Sequence, residues 1–532
     1  MRIDKNTTIR LGDRNIVKIK IGDSVIWQKT TEPVEGPDYF YIESLGDGNT
    51  ISVKNRGNGN TNVTPTLEYS KDKNTWNTIT FDWTSGTHTT ELPVKLNTGE
   101  KMYFRNDTHL FSNSEYKYIT FSSSVSSNVG GDIRTLSNYL DVNNETKPQS
   151  DMFYYLFNNN KNIVDASNLR LPYTTLANRC YSCMFYDCTS LTAAPALPAT
   201  TLANSCYQYM FYNCTSLTAA PELPATSLAS SCYYRMFYVC SKLTSAPTKL
   251  PATTLAPYCY NDMFNGCKSL TTAPELPATT LESDCYSNMF KGCTKLTSAP
   301  TKLPATTLAT ECYSQMFSGC SSLTTAPELP ATTLKGSCYS SMFSGCSSLT
   351  AAPALPTTSL APYCYKEMFY DCTSLKTAPV LPATTLANEC YSSMFRSCKS
   401  LTTPPELPAT TLGGSCYSYM FSGCTSLTAA PELPATTLAN SCYSGMFQSC
   451  NKLTTAPELP ATTLTNNCYG FMFYGCTSLN NVTVYADDIS ASNCTTNWLS
   501  IVASTGTFRN LGSATYPRDE SGIPEGWTEV KN

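Results

Sequence analysis

The chain has 532 residues, a formal net charge of −4 and a charged fraction of only 14%. A polyanionic ligand needs a basic patch, and the sequence has none, so these values exclude a nucleic-acid-binding protein. At this length a large core can form, so stability does not require disulfide bonds.

The N-terminal sequence MRIDKNTTIRLGD lacks the apolar region and the small-residue cleavage site of a secretory signal peptide. No run of about 18 apolar residues is present, so we expect no membrane span. We therefore expect an unprocessed chain that folds in a cytoplasm. A cell-surface protein needs an export signal, whereas a phage structural protein is released by lysis.

Residues 7–27 contain two similar units, IRLGDRNI and IKIGDSVI, and each predicts a strand, a Gly-Asp turn and a second strand. A piece this short cannot bury a core alone, so we predict that residues 1–30 form a β-hairpin segment that docks on something else. Residues 31–37 are a predicted linker. Residues 38–150 alternate apolar and polar positions in short runs such as WNTITF, which predicts a small antiparallel β-sandwich.

A Cys-Tyr pair occurs twelve times, spaced by 26 residues except for two steps of 27. The pairs begin at Cys180, Cys206, Cys232, Cys259, Cys285, Cys312, Cys338, Cys364, Cys390, Cys416, Cys442 and Cys468. Both longer steps have one cause, because SAPTKLP replaces the usual APELP at Thr248-Lys249 and at Thr301-Lys302. One extra residue in a strand predicts a bulge or a longer turn.

Within each repeat, Cys, Tyr, Met, Phe and Cys fall at i, i+1, i+4, i+5 and i+8, which predicts one face of a short helix. The Pro-punctuated LTxAPELP part predicts a strand of only a few residues. The fold class predicted for residues 151–509 is therefore an α/β solenoid of leucine-rich-repeat type, with one short parallel strand and one short helix per repeat.

The two ends of the solenoid depart from the repeat pattern, as capping requires. The first divergent unit places Asn160 where the second cysteine belongs. The last unit places Trp498, Leu499 and Val502 at the Met, Phe and second Cys positions. Residues 510–532 are predicted to be a C-terminal tail.

The paired cysteines could cross-link, bind metal, catalyse or fill space. In a helix their Cα atoms would lie about 12 Å apart, and a disulfide needs less than about 7 Å. Zinc prefers ligands clustered at short spacing, and the repeats contain no histidine. Cys180-x-x-Cys183 is the single C-x-x-C. We predict stacked, reduced core thiols, with no disulfides, no metal and no cofactor.

Hydrolysis needs a base near the nucleophile, and no histidine lies beyond His109, so we predict that the protein is not an enzyme. Single glutamates recur on the predicted strand surface: Glu222, Glu275, Glu328, Glu406, Glu432 and Glu458. Such a row could imitate the carboxylate pair of a glycosidase or bind Ca²⁺. The alternative is a solvated strand face with no role.

Positions that differ between repeats are expected to face solvent, and tyrosine recurs at two of them. The candidate ligand-binding residues are Tyr186, Tyr209, Tyr212, Tyr238, Tyr370, Tyr419 and Tyr474. Exposed tyrosines offer a flat apolar area with a hydrogen-bonding tip, a combination that suits sugars. The alternative is a convex surface that tolerates any residue.

The segment MFSGCTSLT, followed by ELPATTLA, resembles the BspA-type leucine-rich repeat, whose units carry an AF-x-GC-x-SL core. Here Met replaces the Ala, and ELPATTLA stands where that family has IP-x-x-V-x-x-I-G. The resemblance covers residues 151–509. BspA-type repeats occur in bacterial adhesins and in phage and protist surface proteins, so the resemblance implies binding.

The IKIGDSVIW segment and the ending GIPEGW resemble parts of fibre and appendage proteins of phages that infect gut Bacteroidales, including crAss-like phages. This resemblance implies a virion-surface protein, assembled in the bacterial cytoplasm. Its residues 1–30 would contact other virion proteins through Ile19, Ile21, Ile26 and Trp27. The outward solenoid would bind a host-surface glycan or protein.

Three alternatives stay open. The chain could be a bacterial cell-surface adhesin, a purely structural virion decoration protein or a repeat-borne depolymerase. Fibres are usually oligomers, so a homo-oligomer such as a trimer is also open, although nothing in the sequence resembles a trimerising coiled coil.

Overall fold

The computed structural model describes residues 9–11, 14–16, 18–21, 24–28, 38–57, 66–81, 86–106, 118–140, 142 and 146–531. The strands within these residues are β1 (Ile9–Leu11), β2 (Arg14–Ile16), β3 (Lys18–Ile21), β4 (Ser24–Gln28), β5 (Phe40–Ser44), β6 (Ile51–Gly57), β7 (Thr66–Ser70), β8 (Asn77–Thr80), β9 (Gly86–Glu91), β10 (Lys101–Arg105), β11 (Tyr118–Ser123), β12 (Ser127–Asp132), β13 (Ile163–Arg170), β14 (Asn481–Val484), β15 (Gly506–Asn510) and β16 (Trp527–Lys531). The helix α1 (Thr135–Asn138) is a single turn.

The two similar N-terminal units form two antiparallel pairs, β1 with β2 and β3 with β4. The residues predicted to attach the chain to a virion lie in the second pair, where Ile19 is opposite Trp27. Ile21 also lies in β3, and Ile26 lies in β4. The side chains of these four residues lie outside the described part of the structure, so their role stays a prediction.

Two β-sheets face each other after residue 38. One has six strands in the order β13-β12-β5-β10-β7-β8, and the other has three in the order β11-β6-β9. Phe40 of β5 and Phe104 of β10 lie 5.4 and 4.9 Å, ring centre to ring centre, from Phe121 of β11. Strand β13 comes from the repeat region and pairs in parallel with β12. The domain boundary at residue 150 stays a prediction, and backbone hydrogen bonds cross it.

The prediction of a short helix in each repeat is wrong. Every fourth residue of the Cys-Tyr-x-x-Met-Phe segment has positive φ, for example Ser205, Tyr209 and Asn213 at 55°, 56° and 56°. A right-handed helix needs negative φ throughout. The segment is instead a ribbon of tight turns. Because the turn pattern repeats every four residues, it brings the same side chains to one face as a helix does.

Backbone hydrogen bonds alternate along this ribbon. The N–H of Met210 donates to the carbonyl three residues earlier, at 3.1 Å, whereas the N–H groups of Tyr209 and Phe211 donate to the next repeat, both at 2.9 Å. The same alternation recurs in the following repeats. Each turn ribbon is therefore bonded to its neighbours along the whole stack of repeats.

The predicted strand of each repeat is reduced to isolated parallel bridges. Thr201 pairs with Ser227, and Ser227 pairs with Thr254. Proline removes a donor from the ladder, and two prolines in each APELP segment stop the bridges from extending into strands. The extra residue of the longer repeats is accommodated here, because Lys249 pairs with Glu275 in the row of glutamates.

Identical side chains form continuous ladders inside the stack. Tyr313 lies 5.7 Å from Tyr339 with 9° between the rings, and Phe317 lies 5.7 Å from Phe343 with 3° between them. The second cysteine of each repeat has a polar contact as well, because Cys346 Sγ donates to the carbonyl of Phe317 at 3.2 Å. The predicted core ladder of cysteines is therefore also a ladder of weak hydrogen-bond donors.

The divergent ends complete these ladders. Asn160 stands in the place of the second cysteine, and its Nδ2 donates to the carbonyl of Phe121 at 3.2 Å. At the other end the indole of Trp498 stacks between Tyr469 and Tyr516, at 6.2 and 5.9 Å. Residue 495 is a threonine, so the tryptophan from the Met position fills the place of the missing ladder tyrosine.

Residues predicted as a C-terminal tail contribute to this end of the stack. The strands β14, β15 and β16 form a parallel sheet, and Trp498 Nε1 donates to the carbonyl of Gly522 at 2.9 Å. Ile523 and Trp527 are buried. Across the described ranges, no helix has the length and apolar character that crossing a bilayer requires.

The thiol donor can be tested by a pair of isosteric substitutions at Cys346. Thr supplies a hydroxyl that can donate to the Phe317 carbonyl, and Val of nearly the same shape supplies none. We expect Cys346→Val to be less stable than Cys346→Thr by about 1 kcal/mol, measured by denaturant unfolding of the full chain. A valine variant at least as stable as the threonine variant would contradict the donor role.

Candidate functional site

The seven candidate tyrosines lie on the outer edge of the turn ribbons, and each is half-buried. Two positions of the ribbon supply them: the residue before Met, which has positive φ as at Tyr209, and the residue after Phe, as at Tyr212. Neighbouring ribbons are hydrogen-bonded in register, so equivalent tyrosines of consecutive repeats lie side by side.

Four of the seven tyrosines come together in the first three repeats, and we call Tyr186, Tyr209, Tyr212 and Tyr238 the tyrosine cluster. Tyr212 stacks on Tyr186 at 4.5 Å with 1° between the rings, and on Tyr238 at 5.0 Å with 3°. Tyr209 meets Tyr212 edge-on at 5.7 Å.

The other three candidates lie farther along the stack. Tyr370 and Tyr419 contact the guanidinium of Arg396 at 5.9 and 5.3 Å, and Tyr474 lies 6.1 Å from Phe471. They do not join the tyrosine cluster.

Stacking changes what the cluster can offer a ligand. The faces of Tyr212 are covered by its two neighbours, so this central ring presents its edge and hydroxyl group rather than the flat face expected from the sequence. Burial raises the pKa of Tyr186 to about 12, so its phenol is protonated at neutral pH and can donate. The cluster is therefore a line of hydrogen-bonding tips about 5 Å apart.

The depression beside the cluster contains residues that the sequence argument did not select. Its volume is about 500 Å³, and its lining includes Tyr154, Tyr155, Arg179 and Arg235. Tyr155 precedes the residue aligned with Met in the divergent first unit, so its position matches that of Tyr209 in a full repeat. Aligning the divergent first unit with a full repeat could therefore have identified Tyr155 from the sequence.

Both arginines of the depression are neutralised by buried aspartates. Arg235 Nε lies 3.0 Å from Asp262 and Arg179 Nε lies 2.8 Å from Asp151, and both carboxylates are almost fully buried. The Arg235 guanidinium also lies over the ring of Tyr238 at 5.3 Å. The depression therefore combines fixed N–H donors and aromatic edges with little net charge.

The six candidate glutamates are all exposed. Glu222 accepts hydrogen bonds from the Thr248 N–H at 3.0 Å and hydroxyl at 2.9 Å, and Lys302 lies 3.7 Å from Glu328. The Thr-Lys residues of the longer repeats thus supply hydrogen-bond and ion-pair partners to the glutamates in this part of the row.

The C-terminal half of the glutamate row is different. Glu406, Glu432 and Glu458 belong to repeats without the inserted Thr-Lys pair, and open depressions of about 530 and 370 Å³ lie between them. In the part of the chain that the structure describes, no three potential metal-ligating side chains come together. The row is exposed acidic surface, and its predicted ligand role stays untested.

All 26 cysteines fall within the described residues, and all are free and buried. Burial raises the pKa of the Cys346 thiol, and that of Cys183 beside the depression, to about 12. Thiolate is the nucleophilic and metal-binding form, so these groups are inert thiols at neutral pH. The disulfide argument from helix geometry had a wrong premise, since the segment is not helical.

These features define a class of protein: a stack of strand-poor repeats with invariant internal ladders and a variable outer edge. The model of the BspA type leucine rich repeat region matches residues 151–297, 259–402 and 389–516, and the chain belongs to this family. That model describes a repeat region rather than a catalytic domain. The leucine-rich-repeat prediction is confirmed, and the phage resemblance stays a prediction.

Among solved structures, a leucine rich cell surface protein from Faecalibacterium prausnitzii A2-165 is similar to this chain. The identity is 16%, the TM-score is 0.31, and the alignment covers 70% of this chain and 85% of that chain. No curated protein matches the chain.

A pair of neighbouring carboxyl groups makes the stability of the folded chain depend on pH. Asp284 and Glu311 occupy equivalent positions in consecutive repeats, beside the exposed Tyr258. Partial burial raises the pKa of Asp284 to about 6, and repulsion from Glu311 adds to the effect. The folded chain therefore binds this proton more tightly than the unfolded chain does.

We expect the free energy of unfolding to fall as the pH rises from about 4 to about 6, because over this window Asp284 keeps its proton in the folded state whereas the unfolded chain has lost it. Asp284→Asn should remove that part of the dependence and raise stability at pH 7 relative to the parent. Denaturant unfolding at several pH values measures it, with Glu282→Gln, an exposed carboxyl nearby, as the control. An unchanged pH profile in Asp284→Asn would contradict the assignment.

Proposed function

We propose that this protein is a phage virion fibre or appendage protein whose repeats form an outward-projecting solenoid that binds a host-surface glycan or protein. One observation carries the binding part of the proposal. Tyr186, Tyr212 and Tyr238 form a stacked line on the outer edge, beside an aromatic depression of about 500 Å³. Family membership supports a binding role, since BspA-type repeats resemble those of adhesins.

The chemistry of the cluster favours an uncharged, hydroxyl-rich ligand. The phenol groups both donate and accept hydrogen bonds, and the two guanidinium groups of the depression are already paired with Asp151 and Asp262. A neutral sugar chain or a polar polypeptide segment can exchange water for these groups without leaving a charge unpaired. Several copies on one particle would gain affinity through effective concentration.

The same surface would serve a bacterial cell-surface adhesin, which is the second candidate. A purely structural virion decoration protein is the third, and it would leave the tyrosine cluster without a ligand. In the favoured proposal the protein sits on the virion surface as a homo-oligomer such as a trimer. It contacts other virion proteins through residues 1–30.

Adsorption of the labelled full chain to Bacteroidales cells, with and without their capsule, tests the binding. We expect saturable, capsule-dependent adsorption that weakens about fivefold in Tyr212→Phe, because the substitution keeps the ring stack and removes one hydrogen bond worth about 1 kcal/mol. Tyr363→Phe, at an exposed tyrosine that is not one of the seven candidates, is the matched control. Absence of adsorption to every strain would overturn the proposal in favour of a structural role.

Attachment to the virion is tested separately. If Trp27 contacts other virion proteins, Trp27→Ala should lower the number of copies per particle severalfold, whereas Gln28→Ala in the same strand should not. Quantitative immunoblotting of purified particles measures the copies. Normal incorporation of the Trp27→Ala protein would contradict the attachment role.

A further inference from the structure

A second arrangement of arginine and tyrosine lies farther along the stack. Arg396 follows the Met-Phe pair of its repeat and is half-buried. Its guanidinium lies 5.9 Å from the ring centre of Tyr370, in the preceding repeat, and 5.3 Å from that of Tyr419, in the following repeat. Three consecutive repeats therefore hold this one cation.

The position of Tyr419 depends on a glycine in the next repeat. A Cβ atom on Gly445 would come within 2.3 Å of the Tyr419 ring, so the ring packs directly against the backbone of Gly445. The equivalent position carries a side chain in the neighbouring repeats, for example Ser393 and Phe471. Gly445 thus provides the space in which Tyr419 can lie beside Arg396.

The charge of Arg396 distinguishes it from the other arginines on this edge. Arg179 and Arg235 each pair with a buried aspartate, at 2.8 and 3.0 Å. Among the ion pairs between described residues, none includes Arg396. Its guanidinium is partly removed from water, braced by two aromatic rings and without a carboxylate to offset it.

A guanidinium in this setting favours an anion. Its planar N–H groups match the two oxygens of a carboxylate, sulfate or phosphate, and charge-assisted bonds of this kind are stronger than neutral ones. The rings of Tyr370 and Tyr419 flank the group, and its half-buried side chain stays partly accessible to a ligand. The arrangement contains one cation, so it fits a single anionic substituent on a longer polymer.

We propose that Arg396, braced by Tyr370 and Tyr419, is a binding subsite for an anionic substituent of a surface polymer, either a uronate carboxylate or a sulfate or phosphate ester. The subsite deepens the proposed function and rests on it, because it gives the chemistry of one part of the ligand. It is separate from the tyrosine cluster, where the arginines are already neutralised.

Titration calorimetry of the full chain with defined polymers tests the subsite. The probes are dextrans that carry sparse carboxylate, sulfate or phosphate groups, one kind of group in each, with plain dextran as the uncharged comparison. We expect one or more of the acidic polymers to bind and plain dextran to bind at least tenfold more weakly at low salt, with binding that weakens as salt is added. The polymer that binds identifies the anion.

Substitutions then assign the binding to Arg396. We expect Arg396→Gln to weaken binding of the acidic polymer about tenfold, and Arg396→Lys, which keeps the charge but not the planar fork, to lie between the two. Gly445→Ala should also weaken binding, because it displaces Tyr419. Lys399→Gln removes an exposed cation from the same repeat and should change affinity less than twofold. Unfolding midpoints confirm that each variant is folded.

The outcomes separate this inference from the proposed function. If no acidic polymer binds, or if Arg396→Gln binds as tightly as the parent, the subsite is wrong, even where the chain adsorbs to cells. If the acidic polymer binds through Arg396 and the chain adsorbs to no cell, the subsite stands and the proposed host-binding function fails.

Discussion

Alternate backbone N–H groups of each turn ribbon donate to the next repeat, and the rest of the structure depends on this constraint. It fixes each residue beside its counterpart one repeat later: the N–H of Tyr209 donates to the carbonyl of Tyr234, the residue that precedes its counterpart Arg235. Side chains of one kind must then stack on one another, which explains the near-parallel tyrosine and phenylalanine ladders. A single repeat could not satisfy these N–H groups, so the stack is stable only as an array with closed ends.

The repeat period and the ladders could be predicted from the sequence because the same residue types recur every 26 or 27 residues. The ends could be predicted because that recurrence stops there. Asn160 and Trp498 could be recognised as ends from alignment alone. The turn ribbon could not be recognised. Its four-residue period places Cys, Tyr, Met and Phe on one face as a helix would, so the apolar pattern is the same for both. The deciding difference is positive φ at residues such as Arg235 and Glu311, which are not typical of that conformation.

The candidate site was predictable to a similar degree. Variable positions between the ladders selected tyrosines that are half-buried at the outer edge, and their ligand-binding role stays a prediction. The sequence could not show that Tyr212 would be covered on both faces, since that depends on the spacing between ribbons. It also could not show which arginines are neutralised. Arg235 is paired with Asp262, which lies 27 residues away, and Arg396 has no such partner among the described residues.

The same register that makes the core uniform makes the outer edge modular. A left-handed residue costs about 1 kcal/mol, and three occur in the ribbon of a typical repeat. The hydrogen bonds and stacked rings between repeats offset this cost, so the backbone of the edge is fixed whatever side chains it carries. Ligand chemistry can therefore change from repeat to repeat without changing the fold. Three tyrosines in succession produce a neutral hydrogen-bonding line, whereas Tyr370, Arg396 and Tyr419 produce a braced positive charge. In such a stack, binding specificity is determined by the order of side chains along one edge.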